Sequence, residues 1–338
     1  MRTPAVARWF AGCVARWRGV IALNYHRIGD GQRSIFDRGL WSATEEAFDR
    51  QVRYLKASFD IITPRDISYA LRSKRGRHVL ITFDDGYADN YTAAFPILEA
   101  HGAPASFFVA TGFIDDPRVP WWDEIAWMVR TSKRTSLELP AFIDAVVPFD
   151  DPERERAIRT LLRTYKKLPA ERTEAYLTKV AEATGTGRPP ADVIDVRGLW
   201  MTWDMLREMS ASGMTIGGHT VHHPILSRMS RDEQFREIGD CVRRLHEELG
   251  ISMRAFAYPV GSLEAFNEDT RSCLREHGVL TAFSYYGGIG DPSNWDDYDI
   301  PRIPVEQEHS FDEFRAMVMF PWPTRRRSSA RPSPSRSS

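Results

Sequence analysis

The sequence predicts an α/β fold, a parallel sheet or barrel interrupted by a helical insertion, and three observations predict it. Apolar and β-branched runs alternate with amphipathic stretches from residue 20 to about 111 and again from about 202 to 320. That alternation of period 2 with period 3.6 is the pattern of βα units. Between them, residues 115 to about 199 change rhythm to long charged helical stretches around Pro and Gly breaks. Finally, acids and histidines recur where strand-like runs stop, and in a parallel barrel those ends share one face.

Taken in order, residues 1–19 carry Val6, Trp9, Phe10, Cys13, Val14 and Trp17 at helical spacing, with Arg2, Arg8, Arg16 and Arg18 among them. Such a helix either docks on its own domain or lies on an anionic membrane surface through residues 1–18. Residues 20–25 form a strand ending at His26. A helix over 44–58 shows Phe48, Val52 and Leu55 on one face, and Ile61 opens the next element. Residues 79–86 read as a buried strand delivering Asp84 and Asp85 to its tip, although Asp-Asp-Gly is also ordinary turn chemistry. A helix from about 90 to 101 is expected to break or bend at Pro96 and to close at Gly102, and a strand follows over 105–111.

The insertion includes helices over 153–167 and 171–182. Trp121 and Trp122 open it as two exposed-looking indoles, which either stack on sugar rings or serve as core for the insertion. Alternation resumes with a helix capped by Thr202, a strand at 214–216 running into Gly217-Gly218-His219, and a Ser230/Glu233 capping box that starts a helix ended by Gly250. Strands at 255–258, 279–285 and 300–305, a helix over 267–277 and a last helix capped by Ser310 complete residues 20–320 as one domain. Residues 321–338 are Arg, Ser and Pro with nothing apolar to bury, the composition of a disordered basic tail.

Composition excludes several classes. Among 338 residues, Lys+Arg 45 against Asp+Glu 46 leaves a net charge of -1, so no field calls for nucleic acid. Cys13, Cys241 and Cys273 are dispersed and odd in number, which argues against a disulfide framework or a CxxC zinc site and for a reducing compartment. No apolar run approaches the ~20 residues of a membrane span, and no secretory signal is visible. The expectation is a cytoplasmic protein, at the inner face of the membrane if residues 1–18 bind lipid.

The chemistry concentrates at the strand tips. His219 and His223 are four residues apart after two glycines. With Asp85 they make a two-histidine, one-carboxylate set suited to a divalent metal. His222 lies between the pair, and spacing leaves open which of His222 and His223 ligates. Tyr258-Pro259 and His26 end other strands and fall on the same face.

Three segments, Thr82-Phe83-Asp84-Asp85-Gly86, His219-Thr220-x-x-His223 and Phe256-Ala257-Tyr258-Pro259-x-Gly261, resemble successive motifs of the polysaccharide deacetylase family, the NodB-homology or carbohydrate esterase 4 enzymes. The resemblance covers about residues 20 to 305 without the insertion. It implies a distorted (β/α) barrel and metal-dependent removal of N- or O-acyl groups from sugars. It further implies that Asp85, His219 and His223 hold the metal, with zinc the default and cobalt or manganese alternatives, and that Asp84 is the general base. Two features depart from most members: Ala257 stands where an arginine is usual, and no Leu-x-x-His follows near the C-terminus. The chain resembles instead the Phe-Ala-Tyr-Pro branch with an early Tyr-His-x-Ile, which includes poly-N-acetylglucosamine deacetylases. By that analogy His26 is the general acid. Arg302 either supplies the missing guanidinium against Asp84 or is a plain surface arginine, and backbone N–H groups near Tyr258 to Val260 are the expected oxyanion donors.

These residues point to a metallohydrolase removing acetyl from an N-acylated amino sugar in a glycan or glycolipid. The competing readings are a deformylase or O-deacetylase of a lipid-linked sugar, a carbohydrate-binding barrel without turnover, and a structural partner in an envelope assembly. Retention of Asp84 argues against a mere metal site.

Overall fold

The computed structural model describes residues 19–73, 77–151, 153–190, 194–290, 293 and 295–321. The amphipathic stretch 1–18 and the basic tail from 322 on lie outside the described residues. No described helix is long and apolar enough to cross a membrane.

Strands β1 (Val20–Tyr25) and β5 (His78–Phe83) are buried along their whole length. Their unbroken apolar runs are what a parallel strand covered on both faces requires. They pair in parallel from Val20 opposite His78 to Tyr25 opposite Phe83, so His26 and Asp84 leave the sheet side by side. The other barrel strands are β6 (Ser106–Val109), β9 (Thr215–Gly218), β10 (Ala255–Ala257), β11 (Thr281–Phe283) and β12 (Arg302–Pro304), in the spatial order β11-β10-β9-β6-β5-β1-β12. A separate parallel pair, β2 (Arg27–Ile28) and β3 (Trp41–Ala43), stands off the barrel, and a short β4 (Asp60–Ile61) pairs with the start of β5. Ser284 N–H donates to Ile300 O at 2.9 Å and Ile300 N–H to Ala282 O at 3.0 Å, which draws β11 toward β12 and nearly closes the barrel. Each turn of the barrel therefore exposes one set of carboxyl ends on one face.

Strand period sorts the side chains. Val20 and Ala22 of β1, Leu80 of β5, and Phe108, Ala255, Ala257 and Phe283 form one cluster, whereas Ile21, Leu23, Val79 and Ile81 belong to the larger core shared with the helices. Two residues further along the same parity come Asn24 and Thr82, then Asp84, so the barrel interior turns polar as it reaches the site.

The helices follow their sequence signals. Thr44 caps α1 (Glu45–Ser58), which buries Phe48, Val52 and Leu55. After α2 (Ile67–Arg72) and β5, the helix expected to break at Pro96 instead widens beforehand. Residues Asn90–Ala94 form a π-turn segment and α3 (Phe95–Ala100) continues from it. Phe95 N–H bonds Asn90 O, and Pro96 falls in the first turn of α3, where its missing N–H costs nothing.

After α4 (Thr111–Asp115), the insertion comprises α5 (Trp121–Thr131), the antiparallel hairpin β7 (Ser136–Leu139) and β8 (Ile143–Pro148), α6 (Arg154–Lys167) and α7 (Ala170–Thr184). It has its own core around Ile125, Val129, Leu137, Phe149, Leu161 and Tyr176. The expectation of a purely helical insertion is thus corrected. Leu137 and Leu139 do alternate with exposed neighbours, but the run is too short to stand out between charged helices. The barrel then resumes with α8 (Trp203–Ala211), α9 (Arg231–Leu249), α10 (Glu268–Glu276) and α11 (Phe311–Met319).

Candidate active site

A cavity of about 210 Å³ opens at the carboxyl ends of the strands, lined among others by His26, Asp84, Asp85, His219, His223 and Tyr258. Asp85 follows Asp84 at the tip of β5 in left-handed backbone, φ 75°. Thr220, His223 and Val260 share that conformation, and among the described residues no other non-glycine does. All four belong to the loops of this one site, where strain of ~1–3 kcal/mol each is held by the surrounding structure. Gly86 follows at φ +96°, and a Cβ there would lie 3.3 Å from Val109 Cγ1, so glycine lets the chain turn under β6.

Asp85 Oδ1 lies 3.4 Å from His219 Nε2 and 3.5 Å from His223 Nε2. One donor atom from each of the three lies within 4.8 Å of the others, all buried. The Nδ1 of His219 meets the carbonyl of Ala257 at 2.7 Å. A carbonyl only accepts, so Nδ1 carries the proton and Nε2 offers its lone pair to the site. His223 Nδ1 is buried without a partner. Burial first, and then the neighbouring His219, push its ring down to about 3, so it stays neutral as a ligand must. Asp85 lies below the ordinary carboxylate range although burial alone would raise it. This donor set fits a divalent cation. His222 is not part of it: its Nδ1 meets exposed-side Glu237 Oε1 at 2.7 Å, while the same carboxylate's other oxygen accepts the N–H groups of Val221 and His222.

Asp84 has a different environment. Arg302, fully buried, makes a two-armed pair with it, Nη1 to Oδ1 and Nη2 to Oδ2, each 2.6 Å. Nη1 also donates to Asn24 Oδ1 at 2.7 Å and Nε to Ser284 O at 3.1 Å. Burial would raise the carboxyl, but the guanidinium outweighs it and Asp84 is held ionised. Arg302 is therefore no surface arginine. It reaches from β12 into the space above Phe108, 5.7 Å from that ring.

The remaining sequence candidates are placed less uniformly. His26 is half-buried, its ring edge-on to Tyr285 at 5.7 Å, and its backbone is fixed by Ser42 Oγ at 3.0 Å and Asn90 Nδ2 at 2.6 Å. The N–H of Tyr258 is committed to Phe283 O at 3.0 Å, its hydroxyl to Tyr298 O and its ring to Phe266. Tyr258 thus has no backbone donor to give an oxyanion, which leaves Val260. The two indoles are not exposed. Trp122 is buried, edge-on to His223 at 4.5 Å, and Trp121 stacks flat on Tyr165 at 4.0 Å, though both also line the cavity.

Sequence reasoning missed the joint between insertion and barrel. Asp123 of α5 is buried and accepts from Tyr87 Oη and from Asp37 N–H, each at 2.9 Å, while Trp122 Nε1 donates to Tyr87 Oη at 2.8 Å. Tyr87 directly follows the Asp-Asp-Gly tip, and that was the only local signal. Burial, partly offset by Arg27, lifts the Asp123 carboxyl from 3.8 to about 7. The unfolded chain then releases this proton at lower pH than the folded one, so the contribution of Asp123 to stability falls as pH rises from about 4 through 7. The destabilisation caused by Asp123→Asn should accordingly shrink between pH 5 and pH 8, by about 2 kcal/mol. Denaturant midpoints of both proteins across that range measure it, and a pH-independent difference would contradict it.

The family model for polysaccharide deacetylase matches residues 72–133 and 144–282. YxkH of Bacillus subtilis (strain 168) is 32% identical over 91 residues, 26% of this chain and 30% of its own length. The poly-beta-1,6-N-acetyl-D-glucosamine N-deacetylase of Escherichia coli (strain K12) is 29% identical over 116 residues, 32% of this chain. That match spans only 16% of the Escherichia coli protein. Among solved structures, the Streptococcus pyogenes deacetylase PplD in complex with acetate superposes with a TM-score of 0.58 at 20% identity, covering 90% of this chain and 99% of that one. IcaB from Ammonifex degensii gives 0.57 at 21% identity, covering 90% and 98%. These likenesses show the same nearly closed barrel. With the family model matching more than half of its length, the chain belongs to the polysaccharide deacetylase family.

Proposed function

We propose that the protein is a metal-dependent hydrolase that removes the N-acetyl group from an amino sugar in a glycan. The observation that carries this reading is the division of labour between adjacent acids: Asp85 faces the Nε2 atoms of two histidines, while Asp84 is held ionised by Arg302 and stays out of the triad. A binding site for a cation needs the first acid only. The name of the Escherichia coli relative supports an N-acetylglucosamine polymer as the substrate class.

Asp85, His219 and His223 would hold one divalent metal, with zinc the default for two imidazoles and a carboxylate. When bound, such an ion polarises an acyl carbonyl and makes water more acidic. Asp84 accepts the proton of the attacking water, and Arg302 fixes its orientation. The N–H of Val260 faces the carbonyl oxygen as charge develops there. His26 then donates a proton to the departing amine nitrogen. We extend the same proposal to a cytoplasmic setting in which residues 1–18 contact a membrane surface and a glycolipid is the substrate. Deletion of residues 1–18 weakening binding to anionic vesicles, with activity on a soluble substrate intact, supports that extension; unchanged binding refutes it.

The test is release of acetate from an N-acetylated glucosamine oligomer, abolished by chelation and restored by added zinc. No release with any divalent metal would overturn the reading. The role of His26 has its own signature. His26→Ala should slow amide substrates by roughly 10²-fold or more while sparing activated aryl esters, whose phenolate leaves without a proton. Equal slowing of both substrate types would send the role elsewhere.

A further inference from the structure

The outer wall of the cavity comes from the insertion and not from the barrel. Helix α6 presents Arg159, Leu162 and Lys166 to it, at spacings of three and four residues that put them on one stripe. Leu162 is buried and anchors the stripe in the core of the insertion, whereas Arg159 and Lys166 are exposed at its edge. Neither has an ion-pair partner among the described residues; on the same helix Arg154 pairs with Asp151 and Arg156 with Glu153, whereas Arg163 and Lys167, outside the cavity wall, have none either. Lys166 sits 6.0 Å from the centre of the Trp121 ring, itself part of the cavity wall.

Burial lowers the pKa of the Lys166 ammonium, and Asp37 and Asp85 act on it through space and partly offset that, but neither forms an ion pair with it. Asp84 is neutralised by Arg302 and Asp85 faces the two histidines. Asp37 remains, and its Oδ1 already accepts Gly39 N–H at 3.0 Å. The mouth of the site thus carries one partly engaged carboxylate against a guanidinium and an ammonium. Two cations without an ion-pair partner facing a cavity attract and orient an oxyacid.

We propose that Arg159 and Lys166 form a recognition site for an anionic substituent, a carboxylate or a phosphate, carried on the glycan beside the N-acylated sugar. The inference rests on the deacetylase reading for what occupies the inner cavity. It deepens that reading by making the substrate an acidic glycan or a sugar phosphate, recognised by the insertion.

Three probes distinguish the sources: chitotriose as the neutral N-acetylated reference, a hyaluronan tetrasaccharide for the carboxylate and N-acetylglucosamine 1-phosphate for the phosphate. Acetate release gives kcat and KM for each, and quenching of tryptophan fluorescence gives binding independently of turnover. Wild type should favour one anionic probe over the neutral one by roughly 10-fold in kcat/KM or affinity. Arg159→Gln and Lys166→Met should each raise KM for that probe roughly 5-fold or more, leaving its kcat and the neutral substrate within about twofold. Both positions are exposed, so thermal melts should match wild type. No anionic preference in wild type, or equal losses on neutral and anionic probes, would overturn the proposal. If no probe releases acetate yet fluorescence shows an anionic preference that both variants lose, the recognition site stands and the hydrolytic reading falls.

Discussion

Asp84→Asn should retain its divalent metal and lose at least ~10²-fold in turnover, the usual scale for a positioned base. The amide is nearly isosteric, and Asp84 lies outside the three-residue donor set, so metal content is the internal control. The loss has two sources in the geometry. An amide cannot take a proton from water, and it can no longer pair with both arms of Arg302, which are 2.6 Å from its two carboxylate oxygens. Breaking a buried pair on one side costs about 3–5 kcal/mol because the other charge is left unpaired. The folded fraction must therefore be measured alongside the rate. Turnover within a few-fold of wild type in a folded, metal-loaded variant would remove Asp84 from the chemistry. Loss of metal together with turnover would mean that the two aspartates have exchanged roles.

His219→Ala should abolish metal binding and activity together. Removing an outer partner of a metal ligand already costs 10- to 100-fold in affinity, so losing a ligand outright should cost at least ~10²-fold. His222→Ala is the matched control. Its ring is turned to Glu237 and away from Asp85, so metal content should stay near one equivalent. Metal analysis of the purified proteins after dialysis against a weak chelator reads both. An unchanged content in the His219 variant, or an equal loss in the His222 variant, would refute the donor set.

Much of the site was legible because parallel strands advertise their ends. A buried strand reads as an apolar run, and the first polar residues after it fall on the catalytic face whatever the rest of the chain does. That logic located His26, Asp84, Asp85 and the His219 loop. It could not separate His222 from His223, since the choice depends on the left-handed backbone at Thr220 and His223 and on Glu237 gripping the turn from α9. It could not establish that Arg302 meets Asp84 either, because their pairing spans 218 residues and depends on barrel closure. The insertion was legible in bulk and opaque in detail. Its hairpin is short, its indoles look exposed in a charged context, and Asp123 carries no local mark of burial.

The position of Arg302 on the last strand also bears on how the protein is made. Synthesis runs from the N-terminus, and the strand bearing Asp84 leaves the ribosome long before the strand bearing its counter-ion. β12 completes the ring by pairing with β1, matching Ala22 to Arg302 across the whole length of the barrel sequence. A nascent chain that has folded its first half holds a carboxylate in a polar interior with no guanidinium to neutralise it, an arrangement that favours an open, incompletely packed barrel. Closing the ring and neutralising Asp84 are one event. Premature termination before residue 302 would yield a chain with an unpaired buried carboxylate and an open barrel, and so one readily cleared by proteolysis.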